Sequence, residues 1–118
     1  MSFKEDNLIQ HKTFDFALNI IKFYTTCKSQ NEYILSKQIL RIGTSIGANV
    51  EEAIAAQSKK DFISKLSIAN KEARETKYWL KLYQSSNLVQ IEVDSYLKEI
   101  ESIINILTKI IKTSSENL

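Results

Sequence analysis

The stretch Arg41-Ile-Gly-Thr-Ser-Ile-Gly-Ala-Asn-Val-Glu-Glu-Ala53 decides how this chain folds. It holds both glycines of the sequence, Gly43 and Gly47, yet its apolar residues keep a helical period. Leu35, Ile39, Ile42, Ile46, Val50 and Ala53 recur at spacings of 4-3-4-4-3, which predicts one helix over about 32–57. At about 100° per residue, Ser36, Gly43, Gly47 and Ile54 fall on one flank of that stripe, and Arg41, Ser45 and Glu52 on the other. An interior glycine costs a helix roughly 0.5–1 kcal/mol relative to alanine. Close approach of a second helix across the small flank is the compensation this pattern implies. The alternative is a kink, or a break into two helices.

The flanking segments repeat the helical signal. Upstream, Asn7 is placed to cap a first helix over about 7–26, after a frayed lead. That helix has two adjacent seams, Phe14, Leu18, Ile21, Thr25 and Phe16, Ile20, Phe23, Cys27, which predict contact with two neighbours. Downstream, Ser58-Lys-Lys-Asp61 reads as a capping box with Asp in place of Glu. A third helix over about 59–84 then carries Phe62, Leu66, Ala69, Ala73, Thr76, Leu80 and Tyr83 in regular 4-3 alternation. Asn87 suits a left-handed cap. A fourth helix over about 93–113 carries Leu97, Ile100, Ile104, Leu107 and Ile111, with Tyr96, Ile103 and Ile110 alongside, before a tail expected to be disordered. Four helices joined by short breaks in one 118-residue domain predict an all-α, up-down-up-down antiparallel four-helix bundle. With no proline and two glycines, the chain lacks the turn residues an all-β or βαβ fold requires.

Composition narrows the functional classes. Cys27 is the single cysteine, so no internal disulfide can form, and a cytoplasmic protein is expected. No apolar run approaches the length of a membrane span, and residues 1–6 lack a signal-type apolar core, so neither a membrane partner nor a cleaved leader is expected. His11 is the single histidine, too few for a di-iron bundle or a zinc site. It lies sixteen residues from Cys27, roughly 24 Å along one helix, so the two cannot form a nucleophilic pair. Glu51 and Glu52 are adjacent and point apart. There is no glycine-rich phosphate loop. The expectation is a non-enzymatic protein without metal or cofactor.

Charge is distributed unevenly. The net formal charge is +2, but residues 58–84 carry an excess of four positive charges and residues 85–118 an excess of two negative ones. On the third helix, Lys59, Arg74, Lys77 and Lys81 share one flank, with Lys60 and Lys71 further round the same side. A basic stripe of this kind can meet phosphate oxygens; it can also be a solvated helix face. Asp61, Glu72 and Glu75 share the opposite flank with Ile68 and Trp79. That half-apolar, half-acidic line suits a subunit contact with Arg41 as its partner, or a core tryptophan beside surface glutamates.

The motifs Arg41 to Ala53, Ser58 to Leu66 and Lys71 to Leu80 together resemble a bacterial family, the four-helix-bundle proteins also called the 23S rRNA intervening-sequence family. The resemblance covers the second and third helices by motif and the others by length and pattern. It implies a small cytosolic bundle that assembles as a homopentameric ring. A related branch, the accessory variability determinant protein of diversity-generating retroelements, works with a reverse transcriptase and nucleic acid. By the family pattern, Arg41, Ser45, Asn49, Glu52, Asp61, Glu72, Glu75 and Trp79 fall on motif positions, most of which look structural or interfacial rather than catalytic. Two functions follow as expectations. One is an oligomeric RNA- or DNA-binding accessory protein that uses Lys59, Lys60, Lys71, Arg74, Lys77 and Lys81. The other is a scaffold that binds a polymerase or another protein without touching nucleic acid.

Overall fold

The computed structural model describes residues 3–117, with side chains from Leu8 onward. Four α-helices follow in order: α1 (Phe3–Ser29), α2 (Leu35–Ile54), α3 (Lys59–Ser86) and α4 (Asp94–Glu116). Among the described residues there is no strand. Each helix packs closely on two neighbours; across the diagonal the α1 and α3 backbones stay apart, and Phe23 and Tyr83 meet through their rings. Neighbours run antiparallel: Gln10 meets Glu51, Glu52 meets Lys65, Lys77 meets Glu101, and Asn19 meets Glu99. The result is an elongated bundle of 47 × 20 × 20 Å. None of these helices is long and apolar enough to cross a membrane.

The glycines lie within one continuous helix. A Cβ built on Gly43 would lie 3.2 Å from Ile20 Cγ2 and 3.3 Å from Ile20 Cγ1. One built on Gly47 would lie 3.4 Å from the Thr13 carbonyl oxygen. The small flank of α2 therefore receives α1 at close range, and the helix needs no break. The expected seams of α2, α3 and α4 supply the core: Ile39, Ile46, Val50, Leu66, Ala69, Ala73, Leu80, Ile100 and Leu107 are fully enclosed. Thr76 sits among them because its hydroxyl donates to the Glu72 carbonyl at 2.8 Å within its own helix.

α1 departs from expectation. Only Phe16, Ile20, Phe23 and Cys27 face inward, joined by Ile9 and Thr13. The second seam faces out: Phe14 is 62% exposed, Leu18 45% and Ile21 47%. A bundle helix touches two neighbours along one stripe, and here the inward stripe already reaches both α2 and α4.

Helix ends were the least legible part. Asn7 lies inside α1, which begins at Phe3, so it is not the cap. Asn31 closes α1 in the left-handed conformation at φ 68°, and the Glu32 N–H donates to the Cys27 carbonyl at 3.0 Å. α2 starts at Leu35, later than expected, because the Glu32 side chain occupies the capping position. Its carboxylate accepts the backbone N–H groups of Ile34, Leu35 and Ser36 at 2.9, 2.8 and 3.1 Å. Partial burial pushes the Glu32 carboxyl up, but the Leu35 and Ser36 N–H bonds outweigh this and hold it below the usual range. Ser58 caps α3, accepting the Asp61 N–H at 3.0 Å, and Asn87 ends it at φ 55°. The expected disordered tail is instead the last turn of α4, with Ser114 buried.

Candidate nucleic-acid and assembly surfaces

The α2–α3 seam gathers most of the polar motif residues. Ser45 donates its hydroxyl to the Ile42 carbonyl at 2.7 Å. Asn49 donates to the Ser45 carbonyl at 3.1 Å and across the seam to Glu72 Oε1 at 2.6 Å. Glu52 pairs with Lys65 at 3.3 Å. Trp79 is half-buried against the core and donates its indole N–H to Glu75 Oε2 at 3.1 Å. Asp61 serves through its backbone N–H, which donates to Ser58. Within one chain Asn49–Glu72 and Glu52–Lys65 tie the two helices together across the seam, while the bonds of Ser45, Asp61 and Trp79 stay local to one helix or its cap.

Within the single chain Arg41 does not reach the acidic flank. It is exposed and donates to Gln38 on its own helix at 3.4 Å. The physical reason is level along the seam. Antiparallel packing places Asn49, two turns further along α2, opposite Glu72, while Glu75 is taken by Trp79.

The α3–α4 edge sorts the cations. Lys77 is half-buried and bridges to Glu101 at 2.6 Å. Lys59 donates to the Asn117 carbonyl at 3.0 Å. Gln84 donates to Asp94 at 2.8 Å. Asp94 and Glu101 thus face the basic flank of the third helix, while Glu99 turns to Asn19 of α1. The Lys77 hydrogen bond outweighs the effect of desolvation on Glu101 and, with the charges of Lys77, Lys81 and Arg74, holds its carboxyl below the usual range. Lys60, Lys71, Arg74 and Lys81 are exposed, and none forms an ion pair among the described residues.

Two adjoining hollows run along this edge. One, of about 300 Å³, is lined by Arg74, Lys77, Tyr78, Lys81, Glu101 and Ile104. The other, of about 400 Å³, is lined by Lys77, Lys81, Asp94, Leu97, Lys98 and Glu101. Sequence reasoning missed Tyr78 and Glu101. The signal for Tyr78 was present: it lies four residues after Arg74 and three before Lys81, so the three are neighbours on one helix face. Glu101 had no local signal, because its role comes from α4 register alone.

A family model, that of the 23S rRNA-intervening sequence protein, matches residues 5–109. The chain belongs to this family. A crystal structure of a protein with unknown function from the S23 ribosomal protein family of Bacteroides thetaiotaomicron is 45% identical in sequence. The match covers 92% of this chain and 98% of that one, with a TM-score of 0.86. Comparison with curated proteins returns no match. As a member of the intervening-sequence family, this chain places its motif residues chiefly along the α2–α3 seam.

Proposed function

We propose that this intervening-sequence family member is a cytoplasmic, non-enzymatic accessory protein that assembles with copies of itself and binds RNA, or DNA, through α3. The observation that carries this reading is the division of charge on that helix. Glu72 and Glu75 are engaged toward α2 and on α3 itself, while Lys60, Lys71, Arg74 and Lys81 stand exposed and outside any recorded ion pair. An arrangement of this kind suits phosphate oxygens. The family's description as a 23S rRNA-intervening sequence protein supports RNA as the ligand.

Self-assembly is supported by the Phe14, Leu18, Ile21 stripe on α1, an apolar line that the single chain leaves in water. A homopentameric ring is the form we favour. The same stripe favours a second reading, a scaffold that docks a reverse transcriptase or another protein partner and does not contact nucleic acid.

Binding of labelled RNA followed against salt tests the first reading. Replacing Lys60, Lys71, Arg74 and Lys81 with Gln should weaken binding and flatten the log–log salt slope by about 3. Undetectable binding at low salt, or an unchanged slope in the variant, removes the reading. Recovery of a protein partner after nuclease treatment favours the scaffold. Light scattering at micromolar concentration tests assembly separately: a monomer there removes the ring, and Leu18→Glu should dissociate it while helix content is kept.

A further inference from the structure

We infer that the trench between α3 and α4 takes single-stranded nucleic acid in preference to duplex. Tyr78 stacks a base, Arg74 and Lys81 hold flanking phosphates, and Glu101 keeps Lys77 occupied until a phosphate displaces it. The inference rests on the nucleic-acid reading above and names its substrate class.

Tyr78 is 60% exposed in the middle of a cationic line, with its ring set edge-on to Trp79 at 5.7 Å. Phosphate contacts with a duplex need cations alone, because the bases of a duplex are already stacked on one another. An exposed aromatic between cations suits unstacked bases, since every base offers a flat face and each stack contributes to affinity whatever the sequence. The spacing fits this use. Arg74, Tyr78 and Lys81 are mutual neighbours on successive turns, and Lys71 continues the line over about 15 Å of helix. The trench lining combines apolar Ile104 and Leu97 with the cations Arg74, Lys77, Lys81 and Lys98, against two carboxylates, Asp94 and Glu101. That pairing matches a strand whose bases and phosphates face different ways.

Glu101 supplies the second part. Its carboxylate lines both hollows and accepts from Lys77 at 2.6 Å. An anion therefore already sits beside three of the four cations that line the trench, Arg74, Lys77 and Lys81. A phosphate arriving there competes with this carboxylate, so Glu101 lowers affinity and sets a threshold that weak or transient anions do not pass.

The test uses the full-length protein and fluorescence anisotropy with three probes. These are an unstructured 12-nucleotide RNA, the DNA strand of the same sequence, and the RNA hybridised to its complement. Wild type should bind the single strands more tightly than the duplex, and the two single-stranded arms show whether the sugar matters. Tyr78→Ala should weaken single-strand binding on the order of tenfold and duplex binding less than twofold, while Tyr78→Phe retains affinity. Glu101→Gln should tighten single-strand binding severalfold and steepen the log–log salt slope by about 0.7, one added phosphate contact. Circular dichroism checks that each variant keeps its helix content. Equal affinity for duplex and single strand, an equal loss on both for Tyr78→Ala, or an unchanged slope for Glu101→Gln overturns the inference and leaves the nucleic-acid reading standing. Absence of binding to all three probes at low salt overturns both.

Discussion

Substituting alanine for each α2 glycine in turn separates two forces that act in opposite directions. Each Gly→Ala change gains roughly 0.5–1 kcal/mol of helix propensity. At Gly43 the new Cβ would stand 3.2 and 3.3 Å from Ile20 carbons and 3.6 Å from Phe16 Cε2. Ile20 and Phe16 are fully enclosed, so neither can swing away. Overpacking of a dense core costs about 1–3 kcal/mol. The net expectation for Gly43→Ala is a loss of about 0–2.5 kcal/mol, centred near 1, the difference between those ranges. At Gly47 the nearest atom is the Thr13 carbonyl oxygen at 3.4 Å, the inner limit of ordinary contact. Gly47 also borders a hollow of about 150 Å³ between α1 and α2, which leaves space to relax. Propensity wins there, and Gly47→Ala should gain about 0.5–1 kcal/mol. Urea unfolding followed by circular dichroism, at one fixed protein concentration, reads both as midpoint shifts at constant slope. Opposite signs are expected. Equal stabilisation by the two variants would falsify the claim that α1 approaches Gly43 too closely for a Cβ.

Three further outcomes follow from other contacts. Glu32→Ala removes the acceptor of three N–H groups at the start of α2 and should cost about 1 kcal/mol at neutral pH. The folded Glu32 carboxyl is held below its unfolded value, so its contribution is complete above the unfolded value near 4.3. It is lost as pH falls through the lower folded value, and the gap between wild type and variant should narrow in that window; a gap that does not shrink as pH falls below the unfolded value refutes the assignment. Asn49→Ala leaves Glu72 half-buried without its partner across the seam and should cost about 1–3 kcal/mol by thermal unfolding, more than Asn19→Ala on the α1–α4 side if the α2–α3 seam is the stiffer one. Burial pushes the Cys27 thiol up, and the side chain is fully enclosed, so a thiol reagent should label it only at the rate of global unfolding.

Tyr83 shows how a buried group escapes sequence reading. Its apolar ring fits the α3 seam, as the 4-3 spacing implies, and meets Phe23 of α1 edge-on with centroids 5.3 Å apart. Its hydroxyl is buried without a hydrogen-bond partner of good geometry. Burial first, then the neighbouring Cys27 and Glu32, push its pKa well above the usual value. Nothing in the spacing of α3 places a thiol of α1 and the capping carboxylate before α2 beside that ring; the meeting of three segments does.

The sequence by itself determined the four helices, the inward stripes of α2, α3 and α4, and the small flank carrying Gly43 and Gly47. These are local or periodic properties, and a repeat of 3.6 residues states its own buried side. It also separated the charges of α3 into two flanks, because positions on one helix are fixed relative to each other. Tertiary structure decided everything that depends on level between helices. α1 carries two seams of similar apolar content, and only packing against Gly43, Gly47 and α4 turned Phe16 and Ile20 inward and left Phe14, Leu18 and Ile21 outside. Asn49, not Arg41, met Glu72. Lys77 met Glu101 and left Arg74, Tyr78 and Lys81 as an open line. Angle around a helix follows from sequence spacing; the partner at a given height follows from how far one helix slides along its neighbour, and the many small contacts of the whole bundle set that slide.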